Sequence, residues 1–154
     1  MSADDNNTVL LCTFRLGDLL LGIDVRDVQE ILREADITPI PGAAPAVAGL
    51  INLRGQIATT LDLRTRLGLE SAAEDAVPSH VVVKSGGEQL SLLVDSIGEV
   101  LEVGFDLYEP PPVTMQEEIA DLMVGTYKLA DELLLVVDVA QVVAIPLNHG
   151  QDAA

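Results

Sequence analysis

Two stretches of this chain repeat one another in order, and that doubling limits the folds open to it. Phe14–Leu32 (FRLGDLLLGIDVRDVQEIL) lies without gaps over Val83–Leu101 (VKSGGEQLSLLVDSIGEVL), 69 positions apart. Gly17 meets Gly86, Leu21 meets Leu90, Val25 meets Val94 and Glu30 meets Glu99, while Arg15/Lys84 and Ile31/Val100 match in character. Further on, Gly49–Arg64 (GLINLRGQIATTLDLR) lies over Gly125–Ala140 (GTYKLADELLLVVDVA) at an offset of 76. Internal self-similarity in the same order at nearly the same offset points to two similar halves that meet at a seam. Each half of about 65 residues is marginal alone, so the two are expected to share apolar surface.

The element signals agree with an all-β architecture carrying a few short helices. Val9–Leu16 and Leu19–Ile23 flank Gly17-Asp18; Leu50–Leu53 and Gln56–Leu61 flank Arg54-Gly55; His80–Lys84 and Gln89–Val94 flank Gly86-Gly87. Apolar runs separated by such dipeptides are hairpins. Val25, Val28, Ile31 and Leu32 fall at helical spacing after Asp24, which predicts a short amphipathic helix or turn. Asp62–Leu67 and Asp138–Ala144 read as single helical turns, and Gln116–Val124 as a short helix. Thr38–Pro45 and Tyr108–Pro112 are stiff proline-rich connections. Glu70–Pro78 (ESAAEDAVP) lacks large apolar residues and reads as a linker between subdomain one, about 8–69, and subdomain two, about 79–148. Terminal strands are allowed to cross over between the two, and tails are expected at 1–7 and 149–154.

Charge narrows the partners. The net charge is −17, with all six arginines among residues 1–69 and only two lysines against sixteen acids in residues 70–154. A field this negative repels a phosphate backbone, so no nucleic-acid partner is expected. The acidity itself reads equally as solubility, salt adaptation or a docking field. No apolar run approaches the 18 residues of a membrane span, the N-terminus lacks signal-peptide features, and Cys12 has no partner for a disulfide; a cytoplasmic chain without membrane insertion is expected.

Chemistry is sparse. His80 and His149 stand apart from any second His or Cys, so neither a metal site nor a nucleophile–base pair is expected, and no cofactor. Asp24, Asp62, Asp95 and Asp138 each end an apolar run, where a carboxylate caps the following turn. Arg54 is different. It occupies the turn of Asn52-Leu53-Arg54-Gly55, where the second half has Ala130-Asp131, so the repeat does not require arginine there. A guanidinium at such a turn is suited to grip carboxylates or carbonyls of a partner; the plainer alternative is a solvated or locally paired arginine.

At these residues the chain resembles the CheW-like chemotaxis adaptors, over about Thr8 to Leu147. The matching stretches are LGIDVRDVQEIL (Leu21–Leu32), ITPIPGAAPAVAGLINLRGQIATTLDLRTRLGL (Ile37–Leu69), LLVDSIGEVL (Leu92–Leu101) and LLLVVDVAQVV (Leu133–Val143). The resemblance implies two five-stranded β-barrel subdomains packed around a shared apolar seam. It implies a non-enzymatic scaffold coupling the cytoplasmic tips of chemoreceptors (methyl-accepting chemotaxis proteins) to the regulatory domain of a CheA-type histidine kinase. Carried onto this chain, Arg54, Asn52, Gly55, Gly49 and Val100 become the receptor-facing groove, and Val28 and Glu30 the kinase-binding region. Ser91, where relatives often have glycine, and the polar Ala58-Thr59-Thr60 depart from the pattern. Two readings stand beside this one: an adaptor of a related pilus-motility or other receptor array, and a small barrel binding an apolar ligand at the seam.

Overall fold

The computed structural model describes residues 7–73 and 75–144; His149, the tail at 149–154 and all but Asn7 of the tail at 1–7 lie outside them. Eleven strands appear in chain order: β1 (Thr8–Leu16), β2 (Leu19–Asp24), β3 (Val28–Leu32), β4 (Val47–Leu53), β5 (Gln56–Asp62), β6 (Ser79–Ser85), β7 (Glu88–Val94), β8 (Ser96–Gly104), β9 (Tyr108–Glu109), β10 (Met123–Lys128) and β11 (Leu133–Val137). Three one-turn helices follow strands or connections: α1 (Leu63–Arg66), α2 (Glu117–Ala120) and α3 (Val139–Val142). The predicted hairpins form at Gly17-Asp18, Arg54-Gly55 and Gly86-Gly87.

The strands build two sheets, one ordered β8-β1-β2-β11-β10-β9 and the other β3-β6-β7-β5-β4. Each sheet therefore draws on both halves of the repeat. The β1–β2 hairpin joins the second half's sheet through a parallel β2–β11 ladder, and β6–β7 joins the first half's sheet through a parallel β5–β7 ladder. Every pairing has its counterpart at the sequence offsets. The ladder irregularity between Val47 and Gly49 recurs between Met123 and Gly125, and the bridge Thr38↔Leu50 recurs as Glu109↔Thr126.

Two expectations need correction. The sheets are six- and five-stranded and are not closed barrels: β8 does not bond to β9, nor β3 to β4. And Val25–Leu32 is not a helix. Only Val25–Asp27 makes a 3-10 turn, after which Val28–Leu32 pairs with β6. Its alternating half-buried and exposed pattern follows a strand's period of two, and tertiary pairing overrides the helical spacing.

The seam is apolar and continuous. Phe14, Leu21 and Ile23 from one sheet pack with Leu61, Val81, Val83 and Leu92 from the other. A second cluster, Leu11, Leu20, Val103, Tyr127, Leu134 and Val136, fills the far face of the six-stranded sheet. At the ends of the seam arginines pin the halves together. Arg64 donates from Nε to Asp95 Oδ1 at 2.8 Å, and Asp95 also accepts the Gly17 amide at 2.7 Å. Arg66 donates to the carbonyls of Val142 and Gln141 at 2.8 and 2.9 Å, closing the end of α3 from α1. So Asp24, Asp62 and Asp138 cap the turns that follow them, whereas Asp95 is a cross-link.

Phe14 is fully buried in this seam. Replacing it with alanine is expected to lower unfolding stability by about 3–5 kcal/mol. Because the seam belongs to both sheets, denaturant unfolding followed by circular dichroism should move as one transition; two separated transitions would contradict the shared core.

Candidate functional site

The end of the five-stranded sheet carrying the β4–β5 turn gathers most of the residues singled out from the sequence. The turn is a two-residue hairpin loop with both central residues at positive φ, Arg54 at 53° and Gly55 at 86°. This is the type I′ pattern, which favours Asn or Gly at the first position. Arg54 is the one non-glycine with positive φ among the described residues. A side chain there costs about 1 kcal/mol against glycine. Asn52 fixes the turn, its Oδ1 accepting the Gly55 amide at 2.8 Å.

From this turn Arg54 reaches back to β3. Its Nη2 donates to Glu30 Oε2 at 2.7 Å, while the arginine side chain stays 75% exposed and the glutamate only 19%. The β3 strand lies at one end of the sheet and β4 at the other, so the pair joins two edges that no backbone ladder connects. A recess of about 350 Å³ opens beside it, with Val28, Gln29, Arg26 and Lys84 also at its walls. Arg26 is held by Asp24 at 2.6 Å, and that contact holds the Asp24 carboxyl below its ordinary pKa.

Gly49 plays another part. The segment around Thr38 crosses β4 with mutual backbone hydrogen bonds of 2.8 Å to Leu50, and a Cβ on Gly49 would strike the Thr38 carbonyl. Gly125 repeats the arrangement under the ring of Tyr108. Val100 stands away from the Arg54 turn, on β8 at the outer edge of the six-stranded sheet, paired with the buried Cys12 and 56% exposed. Its counterpart in the repeat, Ile31 on β3, is paired with the buried Val81 and 39% exposed. Both project from outer strands on the seam side, and both strands carry an irregularity at the same place, which blunts an open edge. Ile31 was not singled out as a site residue; its signal was the alignment with Val100.

The interior of the five-stranded sheet explains the sequence departures. His80 lies inside β6, 1% exposed, with Nδ1 at 2.9 Å from the hydroxyl of the buried Ser91. Ser91 thus supplies the polar partner that a glycine would not. Thr60 is fully buried beside it in the parallel ladder, its hydroxyl without a partner, while Ala58 leaves room. The same positions in the six-stranded sheet are Leu11, Gly22, Leu134 and Val136, a dry interior.

Comparison with known proteins identifies the frame. The CheW-like domain model matches residues 10–146. The chain belongs to the CheW-like family. A chemotaxis protein CheW from Treponema pallidum is 30% identical over 133 residues, 84% of this chain and 78% of that one. The chemotaxis protein CheW of Klebsiella aerogenes is 27% identical over 131 residues, 85% of this chain and 79% of its own length. The crystal structure of the scaffolding protein TtCheW from Thermoanaerobacter tengcongensis superposes with a TM-score of 0.81 at 27% identity, covering 89% of this chain and 93% of that one. The CheW-like family is a non-enzymatic family of adaptors, and this chain is a chemotaxis coupling adaptor. Among its described residues no helix is long and apolar enough to cross a membrane.

Burial holds the His80 imidazole below its ordinary pKa. The unfolded chain therefore takes up a proton, from about pH 6.5 downward, that the folded chain refuses. Stability contributed by neutral His80 is complete above that pH and declines as pH falls towards 5. The carboxylates of Asp24, Asp95 and Glu132, held low chiefly by hydrogen bonds from arginines, lose theirs only at more acid pH. Thermal melts of the His80→Gln variant should be flatter than wild type between pH 6.5 and 5; an unchanged slope would assign the dependence elsewhere.

Proposed function

We propose that this chain is a cytoplasmic adaptor that holds the tips of chemoreceptors against the regulatory domain of a CheA-type histidine kinase, without catalysing a reaction itself. The observation that carries the reading is Arg54. It sits in a backbone conformation that disfavours it, at a turn whose repeat counterpart does without arginine, with most of its guanidinium in solvent. A residue retained against local cost at an exposed position is suited to a partner.

The receptor's helical hairpin is assigned to the seam side of the two outer strands, where Ile31 and Val100 offer matched apolar contacts and Arg54 an anchoring charge. An amphipathic helix laid in such a groove uses this combination of apolar and polar contacts. Asn52, Gly55 and Gly49 serve by shaping β4 and its turn. The kinase is assigned to the open edge of β3 at Val28 and Glu30. Glu30 then contacts Arg54 on one side and borders the kinase surface on the other, so the ion pair adjoins both contacts. The acidic surface of the second half sets the long-range field in which both partners approach.

Arg54→Asn is the discriminating variant, because asparagine tolerates the left-handed turn. The relieved strain offsets the lost exposed ion pair, itself worth about 0.2–1 kcal/mol, and the melting temperature should stay close to wild type. Binding of a receptor cytoplasmic fragment, measured by calorimetry, should weaken by about tenfold. Wild-type receptor affinity in this variant would remove Arg54 from the contact; failure of the unaltered chain to bind either receptor or kinase would remove the adaptor reading.

A further inference from the structure

Across the repeat, Arg15 and Lys84 are counterparts, as are Glu132 and Gln56. In the six-stranded sheet Arg15 is satisfied within the chain. Its Nη1 and Nη2 donate to Glu132 Oε1 and Oε2 at 3.1 and 2.9 Å. In the five-stranded sheet the equivalent frame exists, since Lys84 faces Gln89 and the parallel ladder sets β7 beside β5, as Arg15 faces Leu20 with β11 beyond. The acid, however, is missing. Gln56 stands where the other half has a carboxylate, and Lys84 has no salt-bridge partner among the described residues.

Lys84 opens into the same recess as Arg54. Three of the chain's eight basic side chains, Arg26, Arg54 and Lys84, line it, and Glu30 is the one carboxylate among its lining residues. Arg26 is taken up by Asp24 through both its Nε and its Nη2. Arg54 uses a single nitrogen. The remaining walls are neutral, including the Gln89 amide bonded to Gln29 at 2.6 Å. In a chain of net charge −17, a recess with one cation unmatched and another partly free is complementary to an incoming acid.

We propose that this recess is a carboxylate socket, in which Lys84 and Arg54 together receive an acidic side chain from the docked receptor tip. The proposal rests on the assignment of Arg54 to the receptor and adds the chemistry of the group it meets. In the second half Glu132 keeps the counterpart cation, Arg15, within the chain; with glutamine at position 56, Lys84 is left for a carboxylate of the partner. Both cations are exposed, so the contact is short-ranged and sensitive to salt.

Calorimetric titration of a receptor cytoplasmic fragment into the full-length protein tests this. Lys84→Gln should weaken binding by about three- to tenfold at low ionic strength, with the difference shrinking at high salt. Gln56→Glu, which supplies the internal acid that the other half has, should weaken it similarly. In the Lys84→Gln background Gln56→Glu should add less than about twofold, because its target is gone. Lys128→Gln, a charge loss on the other sheet, should leave binding unchanged, and all four proteins should melt near wild type. Wild-type affinity in both single variants would overturn the socket while leaving the adaptor reading intact. Loss of kinase binding instead of receptor binding would also overturn it, by giving the recess to the wrong partner. A wild-type chain that binds neither protein would overturn the reading beneath it.

Discussion

The exchange of hairpins between the two halves is the constraint on which the rest of the structure depends. The β1–β2 and β6–β7 hairpins each leave their own half and complete the sheet of the other, and their inward faces form half of the buried seam. Neither half can then bury its apolar strands without the other. The parallel ladders β2–β11 and β5–β7 are the joints. They link residues far apart in sequence, so the fold closes late and as a unit. For an adaptor this has a direct use. Two surfaces on such a body keep a fixed separation.

Within that doubled frame, the two halves differ where solvent and partners are met. The six-stranded sheet covers its far face with an apolar cluster that includes Val103 of β8 and Tyr127 of β10. The five-stranded sheet is lined instead by Thr60, His80 and Ser91, and its ends meet through the Arg54–Glu30 pair. One far face is filled by apolar packing, the other in part by polar contacts. The half with the more polar interior is the one that carries the candidate site. Symmetry elsewhere is close enough that each departure from it, Arg54 for Ala130, Gln56 for Glu132, His80 for Leu11, reads as a local difference in role rather than as noise in packing.

Much of this was legible in the sequence because the repeat reports on the backbone. The two aligned blocks contain the hairpins, the glycines beneath the crossing segments and the aspartates that cap α1 and α3. What the repeat does not report is which strand lies beside which. Hairpin exchange leaves no mark in a one-dimensional pattern, since β1 has the same alternation whichever sheet it joins. The helical spacing of Val25–Leu32 misled for a related reason: in the strand's alternation the apolar Ile31 falls on the exposed face and Glu30 on the half-buried one, so Val28, Ile31 and Leu32 imitate a helix over a short span. His80 was illegible because its polar partner, Ser91, lies across a ladder.

The Arg54–Glu30 pair brings these threads to one point. Read from sequence, the two residues fall on separate surfaces, one for the receptor and one for the kinase. In the fold they are 2.7 Å apart. An exposed ion pair of this kind contributes little to stability, so its placement is better explained by what each member does when the other is engaged elsewhere. On the proposed assignments, a receptor acid competing for Arg54 would release Glu30 on the edge strand, and a kinase contact drawing on Glu30 would free Arg54. The two events share a free energy and must favour or oppose each other equally in both directions. On that reading the smallest unit of coupling is a single salt bridge, held in place by a double sheet that needs only to keep its two ends from moving.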